Sequence, residues 1–135
     1  MVANAYDIAV LKGDGVGIEV VEQTLRVLNE LMLSNGTRMQ FAEYPCGASC
    51  YLEQGDPLPA STLKACREAD AVLVGAMGLP EVRWPDGTEM RPQVDLRIEL
   101  DLYAGVRPIY LYATEHTPLK GLVAGDIDLV VMREN

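Results

Sequence analysis

The sequence has little of what membrane, secreted and nucleic-acid-binding proteins need. No apolar run approaches the roughly 20 residues that a helix requires to cross a bilayer, and residues 1–7 lack the basic and apolar regions of a signal peptide. Basic residues are also few, because 11 Lys and Arg against 20 Asp and Glu give a net charge of −9. Such a surface repels nucleic acid and anionic lipid. We therefore expect no membrane and no nucleic-acid partner.

Cysteine and histidine are scarce as well. The three cysteines, Cys46, Cys50 and Cys66, make neither a disulfide framework nor a zinc-binding pattern. We expect them to be small buried thiols in a reducing compartment, the cytoplasm. The one histidine, His116, is too little for a histidine metal site or a Ser-His-Asp triad. What is present, 135 residues of which 49% are hydrophobic and 23% charged, is typical of one globular domain.

The first 75 residues alternate strand and helix patterns. Short apolar runs bounded by glycine indicate buried strands, and apolar residues at helical spacing indicate helices between them. The predicted elements are a strand over 8–11, a helix from Ile18 to Asn35, a strand around 39–41, a loop over 47–59, a helix over 59–68 and a strand over 70–75. This order predicts an α/β fold with a parallel sheet and helices on its faces.

The segment over 91–102 fits two structures. Apolar residues at every second position from Val94 to Leu102 are typical of a strand. Pro92 at a first helical position and the i,i+4 pair of Arg97 and Asp101 favour a helix. Further on, Pro108 predicts an extended segment over 106–112.

Arginine is concentrated late in the chain, with five of its eight copies at positions 83 to 133. The planar guanidinium binds a carboxylate through two parallel hydrogen bonds. Arg97, Arg107 and Arg133 lie in three separate predicted elements, and Arg133 closes a strand over 127–132. They either converge on a pocket for a di- or tricarboxylic acid or form independent surface ion pairs. The residues alone leave both interpretations open.

A glycine turn over 13–17, with the sequence GDGVG, links the first strand to the first helix. It fails the dinucleotide pattern G-x-G-x-x-G because Ile18 stands where the third glycine belongs. A turn of this kind can still bring backbone N–H groups near a phosphate. The alternative is a plain tight turn.

Five stretches of the chain resemble motifs of one enzyme family. They are KGDGVGIEV over 12–20, GDPLP over 55–59, GAMG over 75–78, LRIELDLYAGVRP over 96–108 and DIDLVVMREN over 126–135. In this order they resemble the β-decarboxylating dehydrogenases, the isocitrate and 3-isopropylmalate dehydrogenase family, over nearly the whole chain.

The resemblance implies an architecture. The fold is that of the family, α/β with parallel-sheet layers and flanking helices, not a Rossmann fold, and it is incomplete in this chain. Residues 1–102 would be the N-terminal part of the cofactor-side domain, and residues 103–135 the start of a second domain for substrate binding and dimerisation. The resemblance also favours a helix over 91–100. An unrelated small α/β binding module, with three separately paired arginines, is the alternative.

The resemblance implies a function as well, namely oxidative decarboxylation of a 3-substituted malate by a cytoplasmic homodimer with NAD or NADP and Mg²⁺ or Mn²⁺. Arg97, Arg107 and Arg133 would bind the malate part. The cofactor would lie against Val16, Ala76, Met77, Gly78, Leu79 and Pro80. The family's catalytic Tyr and Lys and its metal-binding Asp residues match no position here, so the chain is assigned no catalytic and no metal residue. It would be the N-terminal portion of a longer enzyme, inactive alone, or belong to a non-catalytic subunit.

Two polar residues precede Arg97, at positions where the residue type differs between isopropylmalate and isocitrate enzymes of the family. Arg91 and Gln93, six and four positions before Arg97, fit neither the isopropylmalate pattern nor the isocitrate pattern. They favour a substrate with a polar or anionic substituent on its third carbon. The alternative is that both side chains face solvent.

Overall fold

The computed structural model describes residues 5–134, and its backbone contacts divide the chain into two compact units, Met1–Leu100 and Asp101–Asn135. The elements of the first unit are β1 (Ala5–Leu11), α1 (Val16–Asn35), β2 (Arg38–Glu43), α2 (Ala48–Gln54), α3 (Ala60–Glu68), β3 (Ala71–Val74) and α4 (Pro92–Glu99). Those of the second are β4 (Ala104–Tyr110), a short 3₁₀ helix (Thr114–His116) and β5 (Asp128–Glu134). The predicted division into two functional domains at residue 102 stays a prediction.

The first unit is built on a three-stranded parallel sheet in the order β2-β1-β3. The predicted parallel sheet is therefore confirmed for this part of the chain. The central strand β1 ends in Ala9, Val10 and Leu11, each at most 2% exposed. This is the expected pattern for a parallel strand that has neighbours on both sides and helices on its faces.

Helix α1 follows its sequence pattern closely. Val21 is buried, and Leu25, Leu28 and Met32 are half-buried on the same face. The helix ends at Gly36, whose left-handed backbone (φ 74°) lets its N–H donate to the Met32 carbonyl at 3.1 Å. The predicted stop at Asn35-Gly36 is confirmed, and glycine is favoured there because it adopts this conformation without strain.

Helix α2 lies inside the segment that the sequence predicts as a loop, so that prediction is wrong. The helix is short and flanked by glycines with positive φ, Gly47 at 108° and Gly55 at 78°. No residue next to it supplies a side-chain cap. Its first two N–H groups, on Ala48 and Ser49, instead donate to a carboxylate that lies 34 and 35 residues earlier in the sequence.

Helix α4 settles the ambiguity over residues 91–102 in favour of the helix. Leu96 is 4% exposed and Leu100 packs against the same core, whereas Ile98 between them is 70% exposed. Burial thus follows a spacing of four, and the apolar residues at every second position do not share one face. The ion pair expected between Arg97 and Asp101 does not form, because Asp101 has left the helix with φ 52°.

The three cysteines lie in the core of the first unit, as expected. All are buried free thiols, and the Cys46 Sγ contacts the Met77 Sδ at 3.6 Å. Burial raises the pKa of Cys46 to about 12. These thiols therefore stay protonated at neutral pH and act as small apolar groups.

The β3–α4 loop, residues 75–91, contains a small hairpin. Arg83 pairs with Glu89 in an isolated antiparallel bridge, and the Trp84 N–H donates to the Thr88 carbonyl at 2.9 Å. The Trp84 ring packs edge-on against Tyr51 of α2, with 5.2 Å between ring centroids. The loop is thereby held against α2.

The second unit is an antiparallel pair, β4–β5, so the parallel arrangement does not extend to it. Every residue of β5 is exposed, among them Val130, Val131 and Met132. No helix among residues 5–134 has the length and apolar character needed to cross a membrane.

Candidate functional site

The glycine turn and the start of the β3–α4 loop pack directly against each other. The Asp14 N–H donates to the Ala76 carbonyl at 2.8 Å. A Cβ atom on Gly13 or on Gly17 would overlap that same carbonyl oxygen. Glycine is thus required at both positions by the close approach of two backbone segments, and the structure brings together the two segments that were predicted to contact the cofactor.

The surface formed by these segments carries four of the six predicted cofactor residues in exposed positions. Val16, the first residue of α1, is 64% exposed, and Ala76, Gly78 and Pro80 are exposed as well. Met77 and Leu79 are half-buried, and Met77 packs against the core. Met77 therefore anchors the loop to the core of the first unit.

Backbone at the start of α1 is suited to an anionic group. The helix is 20 residues long, and Gly15, the residue before it, supplies no side-chain cap. Gly15 has φ 51° and nothing within 4 Å of the position of a Cβ. The Gly17 and Ile18 N–H groups already donate to the Asp14 and Gly15 carbonyls, at 2.9 and 3.3 Å, so the positive end of the helix dipole is what would favour a phosphate here. These residues fit one end of a dinucleotide.

The acidic side chains of the described residues do not form a metal cluster. Among residues 5–134 no three His, Cys, Asp or Glu side chains are grouped so that they could bind a metal ion.

Two of the three predicted substrate arginines share one face of the second unit. Arg133 lies opposite Gly105 in the β4–β5 register, and Arg107 is two residues further along β4. Side chains two apart on a strand point to the same face, so the two arginines are diagonal neighbours, with about 7–8 Å between their positions. The third, Arg97, is half-buried on α4 of the first unit.

None of these three arginines forms an ion pair or a side-chain hydrogen bond with another residue over the range 5–134. The ion pairs of the described chain use Lys12, Lys64 and Arg67 instead. Within the described residues, the structure therefore contains none of the independent ion pairs that were the alternative for Arg97, Arg107 and Arg133.

The two residues before Arg97 differ in their surroundings. Arg91 is exposed at the residue before α4. Gln93 is half-buried one helical turn before Arg97, and its Oε1 is buried without a hydrogen-bond partner in the described chain. Gln93 does not simply face solvent. A buried amide oxygen of this kind is normally hydrogen-bonded, so this one is an exception within the described residues.

Sequence reasoning missed one residue of this site, Asp14. It is 2% exposed, and its carboxylate accepts hydrogen bonds from three backbone N–H groups. The available signal was an acidic residue between two glycines directly after a buried strand, a position where a carboxylate has to be satisfied by backbone.

Comparison with known proteins shows the family of the chain. The family model for isocitrate/isopropylmalate dehydrogenase matches residues 7–135. The chain belongs to the isocitrate/isopropylmalate dehydrogenase family. The alternative of an unrelated small α/β module is therefore wrong.

Curated relatives are 3-isopropylmalate dehydrogenases. The enzyme of Aquifex aeolicus is 44% identical over 135 residues, with 96% of this chain and 36% of the relative covered. The enzyme of Thiobacillus denitrificans is 42% identical, with 94% and 37% covered. The chain thus spans a little over a third of the length of these relatives.

Solved structures give the same fold. A β-decarboxylating dehydrogenase from Thermococcus kodakarensis superposes with a TM-score of 0.73 at 34% identity, over 96% of this chain and 34% of the other. Isocitrate dehydrogenase from Methylococcus capsulatus gives 0.76 at 28% identity, again over 96% and 34%. The predicted fold class, α/β of the family type, is confirmed.

Proposed function

We propose that the whole protein catalyses the NAD(P)-dependent, metal-assisted oxidative decarboxylation of a 3-substituted malate, and that this chain supplies its substrate-binding arginines. The observation that carries the proposal is the pair Arg107 and Arg133, which share one face of β4–β5 and have no partner within the described residues. Family membership supports the reaction class.

Unpaired arginines on one face form a receptor for carboxylates. Each guanidinium can hold one carboxylate through two parallel charge-assisted hydrogen bonds. A spacing of about 7–8 Å lets two long side chains reach the same carboxylate or two neighbouring ones. The two arginines suit the malate part of the substrate. That Arg97 of α4 also binds the substrate stays a prediction from the sequence.

The substituent on the third carbon is polar or anionic in this proposal. Gln93 presents a buried acceptor without a partner, one turn from Arg97 on the same face of α4. A substrate hydroxyl could donate to this oxygen, whereas an isopropyl group could not. Exposed Arg91 would favour an additional carboxylate.

NAD or NADP, when bound, accepts the electron pair and the hydrogen that leave the hydroxyl-bearing carbon. In this chain the exposed Val16 and the loop over 76–80 would contact it, and the uncapped start of α1 would attract a phosphate. No residue of this chain is assigned to bind Mg²⁺ or Mn²⁺ or to transfer protons; other residues of the whole protein would do so.

The partners and location follow from the same proposal. The substrate is a small di- or tricarboxylate, and the protein acts as a homodimer without nucleic acid or membrane. Three buried free thiols favour the reducing cytoplasm. The alternative is a non-catalytic subunit or an inactive N-terminal fragment of such an enzyme, which would bind the acid but reduce no NAD(P).

The test compares Arg107→Ala and Arg133→Ala with Arg38→Ala, an exposed arginine of β2 outside the site. In the whole protein, we expect each site variant to raise the KM for the hydroxy acid about tenfold or more, because each loses charge-assisted hydrogen bonds. Arg38→Ala should change it less than about twofold. Equal effects of all three variants would exclude the proposed arginine site.

A panel of acids tests the substituent. Malate, tartrate, isocitrate and 3-isopropylmalate are assayed for NAD(P) reduction and, separately, for binding by calorimetry. We expect tartrate or isocitrate to be preferred over 3-isopropylmalate. Binding without reduction of either cofactor would favour the non-catalytic alternative, and a clear preference for 3-isopropylmalate would contradict the role of Gln93.

A further inference from the structure

Asp14 connects three separate segments of the first unit. Its Oδ2 accepts hydrogen bonds from the N–H groups of Ala48 and Gly78, and its Oδ1 accepts one from Ser49, all at 2.8 Å. Ala48 and Ser49 open α2, whereas Gly78 belongs to the loop over 76–80. One carboxylate thus joins the glycine turn, the start of α2 and the loop that was predicted to contact the cofactor.

The carboxylate is buried but charged. Burial raises the pKa of Asp14, but the hydrogen bonds from Ser49, Gly78 and Ala48 lower it by more, so the net shift is downward. The group is therefore ionised at neutral pH. Hydrogen bonds to an ionised acceptor are about twice as strong as neutral ones, which makes these three effective tethers.

Asp14 is closely packed through both its side chain and its main chain. A Cβ atom on Gly47 would overlap the Asp14 carboxylate. The Asp14 N–H donates to the Ala76 carbonyl at 2.8 Å, two residues before Gly78. The main chain and the side chain of Asp14 thus hold the same short stretch at two points. A loop fixed at two points two residues apart has little freedom to shift.

We propose that Asp14 is a positioning residue for the cofactor, which holds Gly78 and the rest of the loop over 76–80 in place against the glycine turn. This proposal rests on the proposed function, because it assumes that NAD(P) lies on that loop. Asp14 itself would not touch the cofactor. It acts through the Gly78 N–H, and pre-forming the loop removes part of the ordering cost of binding.

A purely structural role would be to cap α2, since two of the three N–H donors belong to that helix. The two roles differ in what a substitution changes. Loss of a cap lowers the free energy of unfolding, whereas loss of the tether at Gly78 also frees the loop and weakens binding of the cofactor.

The experiment compares Asp14→Asn with Thr62→Val in the whole protein. Asparagine keeps the size of the side chain but replaces one acceptor oxygen with a donor. Thr62 is fully buried and its Oγ1 donates to the Pro45 carbonyl at 2.8 Å, just before α2. Its loss removes a hydrogen bond from the same region but none of the three hydrogen bonds to the Asp14 carboxylate. Binding of NAD⁺ and of NADP⁺ is measured by calorimetry, and loop mobility by amide hydrogen exchange.

We expect Asp14→Asn to weaken binding of the preferred cofactor about tenfold and to raise the exchange rate of the Gly78 amide by a similar factor. The KM for the hydroxy acid should change less than about twofold to threefold. Thr62→Val should change the melting temperature but neither the cofactor Kd nor the exchange rate. If both variants lose only stability and leave the cofactor Kd unchanged, the positioning role is excluded.

The native protein provides a test that needs no variant. Gly78 is exposed, yet its N–H is bonded to a buried carboxylate, so its amide should exchange slowly. Rapid exchange at Gly78 in the native protein would overturn the proposal. If the native protein binds neither NAD⁺ nor NADP⁺, the proposed function fails, while slow exchange at Gly78 would still show that Asp14 holds the loop.

Discussion

The two units of the chain carry their predicted binding groups in opposite ways. In Met1–Leu100 the candidate cofactor surface stands on a sheet with buried strands, and main-chain hydrogen bonds hold its loops. In Asp101–Asn135 the arginines stand on two strands whose side chains are nearly all exposed. The first surface is fixed by its own core. The second has a defined register but almost no buried side chains of its own.

The two units are therefore stabilised by different interactions. Burial of apolar area stabilises the first unit at about 25 cal/mol per Å². The second unit depends on strand pairing, and an isolated pair of strands is marginally stable in water. The candidate cofactor surface is therefore expected to be rigid in the 135-residue chain, and the arginine face to need a covering layer.

The largest expected effect is in the central strand of the first unit. Val10 is fully buried, so Val10→Ala should lower the free energy of unfolding by about 2–3 kcal/mol through lost burial and the cavity that remains. Urea unfolding of the 135-residue chain measures this. A loss below about 1 kcal/mol would show that the core of the first unit is looser than described.

A smaller effect is expected from the charge on Asp14. Its folded pKa lies below the ordinary value of 3.8, so its ionised form stabilises the fold above that pH. This contribution is lost as the pH falls below 3.8 through the folded pKa. The difference in stability between the native chain and Asp14→Asn should therefore be constant above pH 4.5 or so and shrink in more acidic solution. If the stability difference between the native chain and Asp14→Asn does not change with pH, the proposed contribution of the ionised Asp14 carboxylate is contradicted.

The smallest effect is expected in β5. Val131 is 44% exposed, and Val131→Ala removes the same atoms as the substitution at Val10. In the 135-residue chain we expect a change within about 0.5 kcal/mol, because little area is uncovered. The same urea titration measures it. A loss equal to that at Val10 would show that this face is covered and would remove the contrast between the units.

Local patterns were sufficient where local chemistry decides the structure. The apolar run before the glycine turn predicted β1, and Asn35-Gly36 predicted the end of α1, because sterics and backbone conformation act within a few residues. The motif over 96–108 identified the family where periodicity alone left helix and strand open. The helix itself is explained by Leu96 and Leu100, whose burial the sequence pattern could not assign to one face.

The remaining features depend on contacts between distant residues. The cap of α2 comes from Asp14, 34 residues before Ala48, so no local signal marks that helix. The antiparallel pairing of β4 and β5 is likewise set by long-range register. The role of Asp14 is visible only once Gly78 and Ala48 are in place around it. Predictions for the substrate arginines remain predictions until binding is measured.

The contact between Trp84 and Tyr51 gives this chain a built-in optical reporter. Trp84 is the one tryptophan of the sequence, and its ring lies 5.2 Å from a tyrosine on α2. Emission from Trp84 depends on the surroundings of its ring, so the emission should change when the β3–α4 loop leaves α2. Stopped-flow fluorescence can therefore follow the loop during refolding or ligand addition without any attached dye.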